Sequence, residues 1–234
     1  MAQFHTTRWS LVLQAREGPE ARRALEALCK TYRPAVLSYI RAHGHDPDAA
    51  EDLAQSFLEH FIERTPRLDV TPERGRFRSF LLVMLRRFLL DQHDRAGRVK
   101  RGGRVRFDTN PFIGRISGVA DGGDTPERAF RRAWVRTVVE SALRRLRAEA
   151  KASGKVELFD QLSEFLGERP EESEYARVAG ALNMRRNTLA VAVHRLRLRL
   201  RELVREQLAD TAASEAEMNS ELRELNRSLG AIMQ

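Results

Sequence analysis

Hydrophobic positions along this chain recur at spacings of three and four, and the alternation that marks a strand is scarce. That helical period falls into three stretches and a tail. Residues 7–97 read as several helices, residues 98–124 as a linker rich in Gly and basic side chains, and residues 125–208 as helices again. A short amphipathic segment carrying Met218, Leu222, Leu225 and Leu229 follows Asp210-Thr211-Ala212-Ala213. Helix starts are punctuated. Asp46-Pro47 and Thr125-Pro126-Glu127 each place a capping side chain before a proline at the first helical position. Gly44 ends a helix over residues 28–42, so a turn at 43–46 joins it to a second helix over 48–64. No internal repeat is visible. The pattern predicts an all-α chain of two helical lobes, residues 1–97 and 125–208, joined by the linker 98–124 and followed by a tail, 209–234.

On the helix over 48–64, Ala50, Leu53, Phe57 and Phe61 fall on one side, and Asp52, Gln55, Glu59 and Glu63 on another. A solvated polar face is the plain account of the second group, and a docking face for a basic partner helix is the sharper one. His43, His45, Asp46 and Asp48 are metal-ligating types in the same hairpin. Their spacing matches no zinc signature and helix capping accounts for the aspartates, so no metal is expected.

Arg74-Gly75-Arg76-Phe77-Arg78-Ser79-Phe80 leads into Leu81-Leu82-Val83-Met84-Leu85-Arg86-Arg87-Phe88. The helix is apolar nearly all round, so burial between neighbours is expected. Its exit carries Asp91, Gln92, His93, Asp94 and Arg95, then Arg98, Lys100, Arg101, Arg104 and Arg106 beside Gly102 and Gly103. Arginines interleaved with aromatics suit single-stranded nucleic acid, with charge on the phosphates and rings or pockets for unstacked bases. Plain core is the alternative for Phe77, Phe80 and Phe88, and is expected for Phe88.

Further along, residues 174–182 read as a short helix, Asn183-Met184-Arg185 as a tight turn, and residues 186–208 as a long helix. Leu189 to Val193 alternates like a strand, but Leu189, Val193, Leu196, Leu200 and Leu203 repeat at four and three over several turns, which favours helix. Opposite that stripe lie Asn187, Val191, His194, Leu198 and Arg201, flanked by Arg186, Ala190 and Arg197. A recognition helix carries base-contacting side chains near its N-terminus and phosphate contacts around them. Val191 suits a thymine methyl. An ordinary helical hairpin with an Arg-rich solvent face is the alternative.

The 234 residues include 41 basic and 33 acidic side chains, a net charge of +8. The excess favours a polyanionic partner without naming it. Arginine dominates the cations and suits bidentate contacts to phosphate and base edges. Cys29 is the single cysteine, so no internal disulfide forms, as expected for a reducing cytosol. The opening residues lack a signal-peptide pattern, and the longest apolar run, Phe80 to Leu85, falls short of the ~20 residues of a membrane span. A cytoplasmic protein with no membrane partner is expected. Cys29 lies beside Leu25 and Leu28 with no His nearby in sequence, so neither an enzyme nor a cofactor is expected.

Taken in order, these elements resemble the extracytoplasmic-function (ECF) group of RNA polymerase sigma factors, from about Phe4 to Leu208. Ala50-Glu51-Asp52-Leu53-Ala54-Gln55-Ser56-Phe57 is similar to region 2.2. Phe77-Arg78-Ser79-Phe80-Leu81 through Asp91 is similar to regions 2.3 and 2.4, and Tyr175 to Leu200 to region 4.2. Thr6 to Leu13 and Lys100-Arg101-Gly102-Gly103 resemble a subgroup found in large-genome environmental bacteria. The resemblance implies a region 2 helical bundle and a region 4 helix-turn-helix lobe, acting in promoter-specific transcription initiation. It implies core polymerase contacts at Asp52, Leu53, Gln55, Phe57 and Glu59. It implies −10 element contacts at Arg74, Arg76, Phe77, Arg78, Arg86, Arg87, Asp91, Gln92 and Arg95. It implies −35 element contacts at Arg185, Arg186, Asn187, Ala190, Val191, His194 and Arg195. Lys100, Arg101, Arg104 and Arg106 would belong to the linker along polymerase. Core RNA polymerase and promoter DNA are the implied partners, with an anti-sigma factor or other regulator as a further class. Two positions depart from the family pattern. Asn187-Thr188-Leu189-Ala190 replaces Gly-Thr-Val-Lys or Gly-Ala-Val-Lys, so −35 preference is not carried over, and Phe80 replaces the usual tryptophan. The rival reading is a helix-turn-helix regulator that never joins polymerase.

Overall fold

The structure is a computed structural model that describes residues 18–64, 77–100, 125–167, 172–209, 212 and 215–229. Among these residues the chain forms eight α-helices, one short 3-10 helix and no strand. The helices are α1 (Pro19–Ala42), α2 (Pro47–Arg64), α3 (Phe77–Lys100), α4 (Pro126–Ala152), α5 (Val156–Leu162), α6 (Glu172–Ala181), α7 (Arg186–Ala209) and α8 (Glu215–Leu229). The 3-10 helix, Ser163–Leu166, follows α5. None of the described helices is long and apolar enough to cross a membrane. Contacts divide the chain between Trp134 and Val135, inside α4, so the capped helix start at Thr125 does not coincide with the division.

In the first unit, α1 begins at Pro19, well before Leu28, and continues through Pro34. It stops where Gly44 adopts φ +91, a left-handed conformation that costs a residue without Cβ little. The Gly44 N–H donates to the Arg41 carbonyl at 2.9 Å. The Asp46 carboxylate then accepts from the Ala49 N–H at 2.9 Å and Pro47 takes the first helical position, so α2 starts as its sequence dictates. Leu25, Leu28, Tyr32, Val36, Tyr39 and Ile40 of α1 are buried, as are Ala50, Ala54, Phe57 and Phe61 of α2. Phe77, Leu81, Leu85, Phe88 and Leu89 of α3 complete the core. Aromatic edges stitch the three helices together: Tyr32–Phe77 at 5.0 Å, Phe61–Phe77 at 6.0 Å and Phe57–Phe88 at 5.5 Å between centroids. Each such pair contributes roughly 0.5–1.5 kcal/mol beyond its buried area. Burial pushes the Cys29 thiol up to about 12, with Glu26 adding to the effect, so the thiolate is scarce near neutral pH.

Helix α3 differs from its expected all-round burial. Ser79, Val83, Arg87, Asp91 and Arg95 form an exposed stripe at four-residue spacing, and Val83 is 44 % exposed. Gly97 does not end the helix, which continues to Lys100.

The second unit holds the rest of α4 and everything after it. Leu162, Phe165, Val178, Ala179, Leu189 and Val193 form one core cluster, with Tyr175 packed against it. Tyr175 stacks on Phe165 at 5.7 Å. Two helix ends use the same double-bonded cap. After α4, Gly154 at φ +69 donates to Lys151 and Lys155 donates to Ala150. After α6, Asn183 at φ +50 donates to Gly180 and Met184 donates to Ala179. This pairing satisfies carbonyls that the helix end would otherwise orphan. Helix α8 packs on α7, with Leu222 and Leu225 buried and Met218 partly so, which gives the tail's apolar stripe its partner.

Phe61→Ala should lower the unfolding free energy of the first bundle by about 3–5 kcal/mol, because it removes three ring contacts and leaves a cavity. Urea unfolding checks it, and a loss below about 1 kcal/mol would contradict this account of the core.

Candidate nucleic-acid interface

Helix α2 presents Asp52, Gln55 and Glu59 to solvent, and Gln55 Nε2 donates to Glu59 Oε1 at 2.7 Å. The neighbouring Glu51 is turned inward instead. It accepts from Arg33 at 2.5 Å and from Arg41 at 3.5 Å, which ties α2 to α1. Leu53 is half-buried. Phe57 is only 1 % exposed and packs on Phe61 and Phe88. It is therefore a core side chain of this bundle, unlike the exposed polar residues beside it.

The expected −10 residues separate into three groups. Arg87, Asp91 and Arg95 lie exposed on α3, with Gln92 half-buried beside them. Phe77 is fully buried between Tyr32 and Phe61, so it cannot reach a base without opening the bundle. Arg74 and Arg76 lie outside the described residues, as do Arg101, Arg104, Arg106 and the side chain of Lys100.

Arg78 and Arg86 make up the third group, and both meet the start of α4. Arg78 is 8 % exposed, with its guanidinium carbon 4.2 Å from the centroid of the Trp134 ring. That burial sets it apart from the exposed arginines of α3. Arg86 donates to Glu127 Oε1 through one nitrogen and to the Tyr39 hydroxyl at 3.3 Å through another. Phe130, on the same face of α4, meets Tyr39 edge-on at 6.4 Å. Burial alone would raise the Glu127 carboxyl. The Arg86 hydrogen bond, a backbone N–H and the charges of Arg86 and His43 outweigh it and hold the carboxyl below its ordinary range. Burial raises the Tyr39 phenol. Glu127, Phe130 and Trp134 were not singled out as functional in the sequence. Their spacing of three and four directly after the Thr125 cap is the signal that marks them.

In the second unit, Arg185, Arg186, Asn187, Ala190, Val191, His194 and Arg195 are all exposed, and Val191 is 49 % exposed. The turn at Asn183 aims the start of α7 outward while Leu189, Val193, Leu200 and Leu203 face the core. Later arginines are spent internally. Arg197 donates to the Phe165 carbonyl at 2.7 and 3.1 Å. Arg199 pairs with Glu149 and Glu202 at 2.8 Å and with Glu206 at 3.4 Å. The Arg199 hydrogen bond lowers the Glu149 carboxyl, and the Arg147 pair lowers Asp160.

Residues 28–99 match the family model of sigma-70 region 2, which takes in most of α1, all of α2 and nearly all of α3. No curated protein and no solved structure matches the chain. Residues 28–99 are therefore similar to sigma-70 region 2. The match supports a sigma-70 family sigma factor that binds polymerase and helps melt promoters. It ends before the second unit begins.

The lowered Glu127 carboxyl sets a pH signature. A group whose folded value is depressed stabilises above its unfolded value and loses that contribution as pH falls through the folded one. Glu127→Gln should therefore lower the melting temperature at neutral pH, and its deficit should shrink in acid. Melting curves across that range check it. A deficit that stays constant into acid would contradict the ion pair.

Proposed function

We propose that the protein is an ECF-type sigma factor of the cytoplasm, which joins core RNA polymerase and directs it to promoters with −10 and −35 elements. The observation that carries this reading is the pair of exposed surfaces inside the region 2 match. An exposed Asp52/Gln55/Glu59 face lies on α2, and an exposed Arg87/Asp91/Arg95 stripe lies on α3. The acidic face suits basic helices of polymerase. The α3 stripe suits the strand and flipped base of a melting −10 element, where extrusion costs a few kcal/mol that protein contacts must offset. On α7, Arg185, Arg186 and Arg195 would hold phosphate while Asn187, Ala190, Val191 and His194 meet base edges in the −35 major groove. Lys100, Arg101, Arg104 and Arg106 would run along polymerase between the two elements. An anti-sigma factor or another regulator is the further partner class this reading brings. No bond is made or broken by the chain itself.

A helix-turn-helix regulator acting alone would use α7 equally well. It leaves the exposed carboxylates of α2 without a role. Capture of bacterial core polymerase by the intact chain separates the two. Asp52→Lys combined with Glu59→Lys should reduce capture about tenfold or more, since it turns attraction into like-charge repulsion at one interface. If the unaltered chain recovers no core enzyme, or the variant recovers as much, the sigma reading fails.

Promoter choice tests the second surface. Replacing Asn187, Val191 or His194 with Ala should change the ranking of −35 sequences, by roughly 1–3 kcal/mol for each base pair affected. Transcription from a library of −35 variants reads this out, and equal losses on every promoter would exclude direct readout.

A further inference from the structure

We infer that the first turns of α4 form a clasp that, in the free protein, holds Arg78 and Arg86 of α3 away from nucleic acid. The inference rests on the proposal that α3 meets single-stranded promoter DNA. Two observations carry it. The first is which arginines are covered. Arg87 and Arg95 stand exposed on α3, while Arg86 is paired with Glu127 and Arg78 lies under the Trp134 ring. The second is register. Glu127 and Trp134 are seven residues apart on α4, hence on one face, and their partners run the opposite way along α3, so the two helices lie antiparallel in this contact. At about 1.5 Å of rise per residue, the two anchors are roughly 10 Å apart on α4 and 12 Å apart on α3, so a single docked helix reaches both.

The clasp is closed by apolar burial as well as by charge. Phe130 is 2 % exposed and Trp134 1 % exposed, and both would meet water if it opened. Opening need not strand Arg86, because the Tyr39 hydroxyl remains within reach as an acceptor. A phosphate would then replace the Glu127 carboxylate as the anionic partner, which makes the exchange an equilibrium between two ways of pairing one guanidinium.

The test uses the full chain and a short single-stranded DNA oligonucleotide, with binding read by fluorescence anisotropy over a range of salt. Glu127→Gln should tighten binding about threefold to tenfold and steepen the log–log salt slope by about 0.7, the increment for one added phosphate contact on a single strand. In an Arg86→Gln background the same substitution should bring no gain, which separates the clasp from a general effect of charge. With Trp9→Phe leaving Trp134 the sole tryptophan, saturating oligonucleotide should raise acrylamide quenching as the ring is released. The clasp is overturned if Glu127→Gln binds no more tightly, if its gain survives without Arg86, or if Trp134 stays shielded at saturation. It is also overturned if no variant binds the oligonucleotide, because there is then no site to cover. Gains as expected from a chain that fails to capture core polymerase would support the clasp and refute the sigma reading.

Discussion

Arg86 projects from the flank of a helix whose inner face packs into an aromatic core, and a half-buried guanidinium there gains from a partner. Removing one partner of a buried or half-buried ion pair costs far more than the pair itself is worth, because the other charge is left without its solvent. Here the partner is forty-one residues further on. Glu127 can reach Arg86 because Thr125 caps α4, accepting from the Arg128 N–H at 3.2 Å, and Pro126 fixes the first turn. Once that turn is set, Phe130 and Trp134 follow on the same face and settle on Tyr39 and Arg78. One electrostatic node thus aligns three helices and decides which arginines of α3 remain at the surface.

The same division of labour runs through the second unit. Arg147 binds Asp160 across α4 and α5 with two hydrogen bonds of 2.8 Å, and Arg145 joins Glu206 on α7. Exposed pairs of this kind contribute little to stability, because solvent screens them. Arg199 is different in kind, since one guanidinium already held by Glu149 also meets Glu202 and Glu206. Sharing one ordered side chain among three carboxylates spreads its entropic cost. The net charge of +8 therefore says little about function by itself. What matters is that arginines late in α7 are consumed by the fold while those at its start are not buried by it.

Local signals were legible in the sequence and long-range ones were not. The Asp46 and Thr125 caps, the Gly44 stop and the Asn183 turn each involve residues within a few positions of one another, and the helices begin or end there. The exposed groups on α2 and α7 were also legible, because a 3.6-residue period assigns faces directly. The aromatics were not. Phe57 and Phe77 stand beside polar and basic residues that suit a stacking platform equally well, and only the arrival of Tyr32, Phe61 and Phe88 from other positions makes them core. The cover over Arg78 and Arg86 was illegible for the same reason. Their partners lie beyond the basic linker, where no local pattern points back to α3. The start of α1 at Pro19 was missed, although proline at a first turn is compatible with a helix.

A helix N-terminus carries partial positive charge, so an acidic residue in the first turn stabilises it and a basic one does not, by about 0.3–1 kcal/mol each. Helices α1, α2, α4 and α5 follow that rule with Glu20, Asp48, Glu127 and Glu157. Helices α3 and α7 have no acidic residue in the first turn. Both carry arginine there instead, Arg78 on α3 and Arg186 on α7, preceded by Arg185. Such a terminus is poorly suited to an isolated helix and well suited to one that receives an anion, because backbone N–H groups and guanidinium groups then converge on the same phosphate. The two helices that break the rule are the two whose surfaces are proposed to meet DNA. In the free protein the Trp134 ring covers Arg78, and further along α3 the Glu127 carboxylate takes Arg86. Helix α7 keeps its opening arginines exposed. The two surfaces would therefore respond differently to DNA, with α7 ready to bind and α3 first having to exchange one partner for another.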